Sequence, residues 1–321
     1  MVKQRLVIIL AVAAIWIFAI AARFRPNHVV TAGEPQRTNT QRRQTEGYGP
    51  PVQLGVLQDA AVNESSGIVA SRANPGLFWT HNDSGDGPFV YAFDRQGKSR
   101  GVWRVSGASA RDWEDIAAGP GPEPNRSYLY AGDIGDNGSK RTTIEIYRFV
   151  EPTIVPADAA ARKSKPLLTA AAETIRLRYP DGSHDAETLL VHPVSGDVYV
   201  ITKELLGSAG VYKAKAPLDP QRTVTLTHAG DISIPSLLGG FVTGGDISPD
   251  GRRVAICDYT QGYELVIGSG KPFDEIWKQS IKTLRLGSRK QGEAIAYRLD
   301  GKALLTTSEG VHSPLIEIVR R

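Results

Sequence analysis

The sequence predicts an all-β chain, a five-bladed β-propeller with an apolar N-terminal helix in front of it. Three observations predict it. The 321 residues include 33 glycines and 20 prolines, and beyond residue 22 no long stretch carries apolar side chains at helical spacing. Five segments repeat one pattern of an acid-tipped strand, a turn and a second, more apolar strand. The last of them runs out of chain one strand short, and a strand-like stretch ahead of the first supplies the missing piece.

Residues 6–22, LVIILAVAAIWIFAIAA, form an uninterrupted apolar run preceded by Lys3 and Arg5. Seventeen residues lie at the short edge of a membrane-spanning helix and the long edge of a signal-peptide core. Residues 1–25 therefore read as a signal anchor, the alternative being a signal peptide cleaved near Ala21 with secretion of the rest. Arg23, Arg25, Arg37, Arg42 and Arg43 outnumber the two cations ahead of the segment, which by the positive-inside rule draws the rest of the chain toward the cytoplasm. The segment's place at the N-terminus favours export, and the propeller is expected outside the cytoplasmic membrane. Cys257 is the one cysteine, so no internal disulfide informs the compartment.

Residues 26–50 are polar, with almost no large apolar side chains, and read as a flexible tether. Residues 1–50 hold seven Lys/Arg against two Glu, so +5 of the net +4 sits there and about −1 is left for the remainder. The globular part thus lacks the basic footprint of a nucleic-acid-binding domain. Nothing in the composition calls for more than a monomer.

Residues 51–321 carry the repeat. Its copies are ESSGIVASRANPGLFWTHNDSG (64–85), DWEDIAAGPGPEPNRSYLYAGDIGDN (112–137), DAETLLVHPVSGDVYVITKE (185–204), TGGDISPDGRRVAICDYTQG (243–262) and QGEAIAYRLDGKALLTTSEG (291–310). HPVSGD, SPDG and RLDG are hairpin turns, rich in the residues that accept turn dihedrals. With Ser66, Glu114, Glu187, Gly245 and Glu293 equivalent, the steps are 48, 73, 58 and 48 residues, a spacing suited to four-stranded blades. The long step contains PADAAARKSKPLLTAAA (156–172), which reads as a loop or short helix. FVYAFDR and GVWRVSG complete the first blade, and ELVIGSG and IKTLRLG the fourth. VQLGVLQ (52–58) is expected to join the last blade as its outer strand, closing the ring and removing open sheet edges.

Residues two apart on a strand share a face. One register of the first strands reads Ser66, Glu114, Glu187, Gly245, Glu293, and the register two earlier reads Glu64, Asp112, Asp185, Thr243, Gln291. In a propeller these face the channel near one mouth as two stacked rings. Carboxylates about 5 Å apart repel by about 3 kcal/mol per pair at an effective dielectric near 20. Protons, a hydrated channel or a cation must offset that. An all-oxygen cage suits a hard cation, calcium ahead of magnesium, held by Glu114, Glu187 and Glu293 with Ser66 or Asp246, and with Glu64, Asp112 and Asp185 behind. Asp115, next to Glu114, is expected to point away into a bond between blades.

NDSGDG (82–87) follows the order of a calcium loop but has Phe93 where the closing glutamate belongs, and reads as a tight turn. GDIGDNG (132–138) lies beside the expected mouth and reads as a loop of either functional or plain turn character. GKS (97–99) has no glycine at the head of a phosphate loop, and neither G-x-S-x-G nor H-E-x-x-H occurs. Trp79 and Trp113 are expected to pack between blades, and Cys257 to be a small buried side chain.

The stretches SSGIV, WEDIA, AETLL and GEAIA, with LYAGDIGDN in the second blade, resemble the calcium-dependent nucleotidases of the apyrase family. Those proteins are five-bladed propellers whose inner strands begin with Ser or Glu around a calcium ion. The resemblance covers nearly the whole propeller in rhythm, through short motifs. The fourth strand departs from it, because Gly245 stands at the ligand position and leaves Asp246 or Thr243 to substitute. The chain also resembles bacterial exported propellers of uncharacterised family. The nucleotidase resemblance implies a phosphoester or phosphoanhydride hydrolase, with metal polarising the phosphate. Arg111, Arg141 and Lys203 are the side chains available near the mouth to grip a nucleotide. Two functions therefore stand side by side. One is a calcium-binding propeller that takes a ligand or protein on its loop face, and the other is a metal-dependent hydrolase.

Overall fold

The structure, a computed structural model, describes residues 47–321; the expected anchor and most of the expected tether lie outside them. Among the described residues no helix is long and apolar enough to cross a membrane. The described residues 47–321 form one compact unit, which contains every described strand.

Five sheets, each with an antiparallel four-stranded blade, stand around a common channel, as the repeat predicts. The first blade is Ser65–Ala70, Leu77–Asn82, Phe89–Asp94 and Ser99–Arg104. The second is Trp113–Pro120, Ser127–Asp133, Ile144–Val150 and Glu173–Arg178. The third is Ala186–Val191, Val198–Thr202, Ala209–Ala214 and Thr227–Ile232. The fourth is Gly244–Ile247, Arg253–Cys257, Gly262–Val266 and Lys282–Leu284. The fifth is Ala294–Tyr297, Ala303–Thr307 and Pro314–Val319, with Val52–Val56 as its outer strand. That last pairing is antiparallel, Val52 opposite Glu317 and Val56 opposite Pro314, so the two ends of the ring close on each other. The first strands neighbour one another in cyclic order and line the channel.

Strand alternation explains why the middle strands are apolar on both faces. Val198 and Val200 pack toward the second blade, while Tyr199 and Ile201 pack toward the fourth. Among the described residues the buried apolar side chains form five clusters, one at each junction between neighbouring blades. Trp79, Trp103 and Trp113 fill the junction of the first and second blades, and Cys257 is buried between the fourth and fifth.

Each blade also reaches back to the one before it through the connection between its third and fourth strands. Residues 151–172 of the second blade place Leu167–Leu168 parallel to Trp103–Arg104 on the edge of the first. Residues 215–226 of the third blade place Val224–Thr225 beside Leu177–Arg178 of the second. The 3-10 helix Phe273–Lys278 of the fourth blade meets the third, where the Tyr199 hydroxyl donates to Asp274 Oδ1 at 2.5 Å and Lys213 pairs with Asp274 at 2.9 Å. In the first blade, Arg95 of the corresponding turn forks onto Glu317 of the fifth, Nε donating to Oε1 at 2.9 Å. The fifth blade is where the chain begins and ends, and residues 47–51 supply its clasp. Buried Tyr48 donates its hydroxyl to Glu264 Oε1 of the fourth blade at 2.6 Å, where Tyr297 also donates at 2.8 Å. Residues 47–50 thus belong to the ring, although their polar composition reads as tether.

Two variants test the closure. Starting the chain at residue 57 removes the closing strand and Tyr48, and is expected to abolish the cooperative melt and produce light scattering from open edges. Tyr48→Phe removes one bond to a buried carboxylate, about 1.5 kcal/mol, and calorimetry should show a fall of roughly 3–6 °C in melting temperature.

Candidate functional site at the channel mouth

One end of the channel collects the starts of the first strands and the ends of the second strands. In the first three blades the pairing between these strands slips by one residue, and the extra residue is Ser66, Glu114 and Glu187 respectively. A β-bulge re-aims a side chain that regular pleating would send into a blade junction. The shared register is therefore a shared backbone device. The fourth blade pairs regularly from Gly244 and lacks it, and Glu293 precedes the first paired residue of the fifth.

Ser66 donates its hydroxyl to the backbone carbonyl of Glu114 at 2.7 Å, fixing the first blade to the second. Glu114 is buried, and its pKa lies well above the ordinary value because of burial first and then the charges of Glu187, Asp83 and Asp112, against the pull of Lys203. Glu187 forms an ion pair with Lys203, yet burial outweighs the cation and its pKa rises to about 7. Burial works against the charge of Lys203 as well; Glu187 overcomes it and the ammonium is held above its usual range. The Lys203 ammonium lies 4.7 Å from the ring centre of Phe241 and 5.5 Å from that of Tyr259, in cation–π contact with both. Glu293 accepts from Gln291 at 3.1 Å through Oε1, while its buried Oε2 has no hydrogen-bond partner. Its pKa is raised well above normal by burial, then by Glu187 and Glu309. The structure thus brings Glu114, Glu187 and Glu293 into one interacting group.

The two aspartates that come next after this register do something else. Asp115 accepts the Ile116 amide through Oδ1 at 2.8 Å and the Leu189 amide of the third blade through Oδ2 at 3.0 Å. Asp246 repeats the arrangement, accepting Ile247 at 2.8 Å and Tyr297 of the fifth blade at 2.8 Å. Asp115 points away from the channel as its sequence position predicts. Asp246, the expected substitute for a ligand in the fourth blade, sits as the structural counterpart of Asp115, with both oxygens on backbone amides. Burial raises its pKa to about 7 in spite of them.

The outer register divides. Asp112 joins Glu114 and Asp83, and one carboxylate oxygen from each lies within 4.8 Å of the others. Asp185 accepts the Asp136 amide at 2.7 Å, which anchors the 132–138 loop. Glu64 bridges to Glu309 through the backbone. Gly135 of that loop lies against the cluster so closely that a Cβ there would overlap Glu114 Oε1 and Asp112 Oδ2. Arg141, one of the three candidate phosphate grips, is buried against Asp133 at 2.7 Å and the Gly135 carbonyl at 2.9 Å.

Asp83 is the residue that the ring argument misses. It comes after Asn82, the last residue of a second strand, whose counterpart in the third blade is Thr202, next to Lys203. The signal was present, since the residue just past a second strand faces the same mouth.

Comparison with protein-family models and with curated proteins returns no match. What fold and site define together is a five-bladed β-propeller whose channel mouth, lined with buried carboxylates, offers a place for a partner to bind.

Carboxyls with raised pKa values keep protons in the folded chain that they lose when unfolded. The contribution of Glu187 to stability is complete below the ordinary value of 4.5 and is lost as pH rises through about 7. In chelator, the melting temperature of residues 44–321 is therefore expected to fall between pH 5 and pH 8. Glu293→Gln, which removes the charge of the carboxyl with the unpartnered oxygen, should raise it by several degrees at pH 8 and flatten that slope.

Proposed function

We propose that this protein is a cation-dependent binding module, a propeller that holds a calcium ion at its channel mouth and presents it to a ligand on the loop face. The observation that carries the reading is the meeting of Asp83, Asp112 and Glu114. Two ligands on opposite sides of a calcium ion at about 2.4 Å are about 4.8 Å apart, so oxygens within 4.8 Å of one another suit one such ion. The donors are all hard oxygens, which favours calcium over the softer transition metals. Buried Glu187, paired with Lys203, and buried Glu293 complete the group of carboxyls at the mouth. In the same reading residues 6–22 hold the propeller at the outer side of the cytoplasmic membrane.

The engagement of Lys203 and Arg141, two of the three basic side chains near the mouth, favours binding over hydrolysis. A phosphoanhydride hydrolase needs cations free to take the transferred charge. Lys203 is paired with Glu187 and Arg141 with Asp133, each within the fold. Ser66 and Asp246 likewise have backbone partners, so the ligand set proposed is Asp83, Asp112 and Glu114, with Glu187 next to it.

A melt of residues 44–321 with calcium and with chelator tests the reading. Calcium at 100–1,000 times its dissociation constant should add roughly 3–4 kcal/mol of stability, and Asp83→Asn or Glu114→Gln should abolish the gain. An unchanged melting temperature with calcium, magnesium and manganese would return these carboxylates to a solvated channel. Calcium-dependent phosphate release from nucleoside diphosphates, lost in a folded Glu187→Gln variant, would make the site an enzyme instead.

A further inference from the structure

Two loops beside the mouth carry the two most exposed leucines of the ring, Leu206 and Leu237. Residues 203–208 leave the second strand of the third blade, and residues 233–243 lead into the fourth. They are joined where the Glu204 amide donates to the Gly240 carbonyl at 2.9 Å, and Gly239 faces the Gly207 carbonyl so closely that a Cβ there would lie 3.1 Å from it. Leu205 is 52 % exposed, Leu206 83 % and Leu237 99 %. Leucines this exposed on adjoining tips mark an interaction site. Lys203 and Phe241 at the base of these loops connect them to Glu187 and the carboxylate group of the mouth.

Resting on the calcium reading, we infer that this leucine protrusion inserts into an anionic phospholipid surface, with the channel-mouth cation bridging to a lipid phosphate. Two features of the loops select lipid over protein. The leucines stand out as convex tips, whereas protein hot spots favour Trp, Tyr and Arg and leave Leu under-represented. Residues 205–209 and 232–241 contain no ionisable side chain, so the tips can enter hydrocarbon without carrying a charge. The neighbouring mouth is acidic and repels anionic headgroups until a cation occupies it, which makes the contact calcium-dependent. The apolar run 6–22, read as a membrane segment, makes a lipid surface the large partner nearest at hand. Insertion of the tips is the interfacial mode of attachment, strengthened by electrostatic contact with headgroups.

Flotation of residues 44–321 with vesicles of phosphatidylserine and phosphatidylcholine tests this. This piece lacks the N-terminal apolar run and carries the complete ring. Binding is expected in calcium and release in chelator. The double variant Leu206→Glu/Leu237→Glu should reduce binding at least about 10-fold, since each leucine loses its apolar transfer, and should keep the calcium-induced rise in melting temperature. A retained rise in melting temperature without vesicle binding overturns the inference and leaves the calcium reading standing. No rise in melting temperature overturns both. Binding that is insensitive to the leucines or to calcium also overturns the inference. So does a dimer in light scattering that the double variant converts to monomer, because the protrusion would then be an interface between copies of this chain.

Discussion

The antiparallel pairing of Val52–Val56 with Pro314–Val319 turns five sheets into a ring, and the other features depend on it. No blade buries its own two faces. Each of the five apolar clusters is shared by neighbours, so the first and fifth blades can bury theirs only when the chain ends meet. Burial of apolar surface drives this closure, and the clasps between consecutive blades direct it. The Tyr48–Glu264 and Arg95–Glu317 contacts flank the same closing blade.

Closure also creates the electrostatic problem at the mouth. Five first strands converge there, and bulges in three of them turn Ser66, Glu114 and Glu187 to a common register. The chain resolves this in two ways. Where aspartate comes just after the register, in Asp115 and Asp246, the carboxylate receives two backbone amides and becomes a joint between blades. Where glutamate occupies the register, the longer side chain reaches the channel, and its proton affinity rises. One position along the strand separates a structural joint from a candidate ligand.

In the proposed calcium reading, a group of carboxyls with raised proton affinity would couple cation binding to pH. Protons and a metal ion compete for the same oxygens. The Glu187–Lys203 pair sits between this group and the leucine protrusion, and ties the charge of the mouth to the loops beside it. Charge, loop position and exposed apolar surface are thereby concentrated on one face of the ring.

The number of blades, the closing strand, the inward register of Glu114, Glu187 and Glu293, and the outward turn of Asp115 were all legible in the sequence. They rest on strand alternation and hairpin spacing, which are local and periodic and leave a trace in one dimension. Folding in three dimensions was needed to bring Asp83 to Asp112 and Glu114, to make Asp246 a joint between blades, and to draw residues 47–50 into the ring. It also engaged Lys203 and Arg141 with carboxylates. Each of those outcomes depends on contacts between neighbouring strands or blades, or between the chain ends. Such contacts are fixed by bulges and by close approaches such as that at Gly135, and neither leaves a period in the sequence.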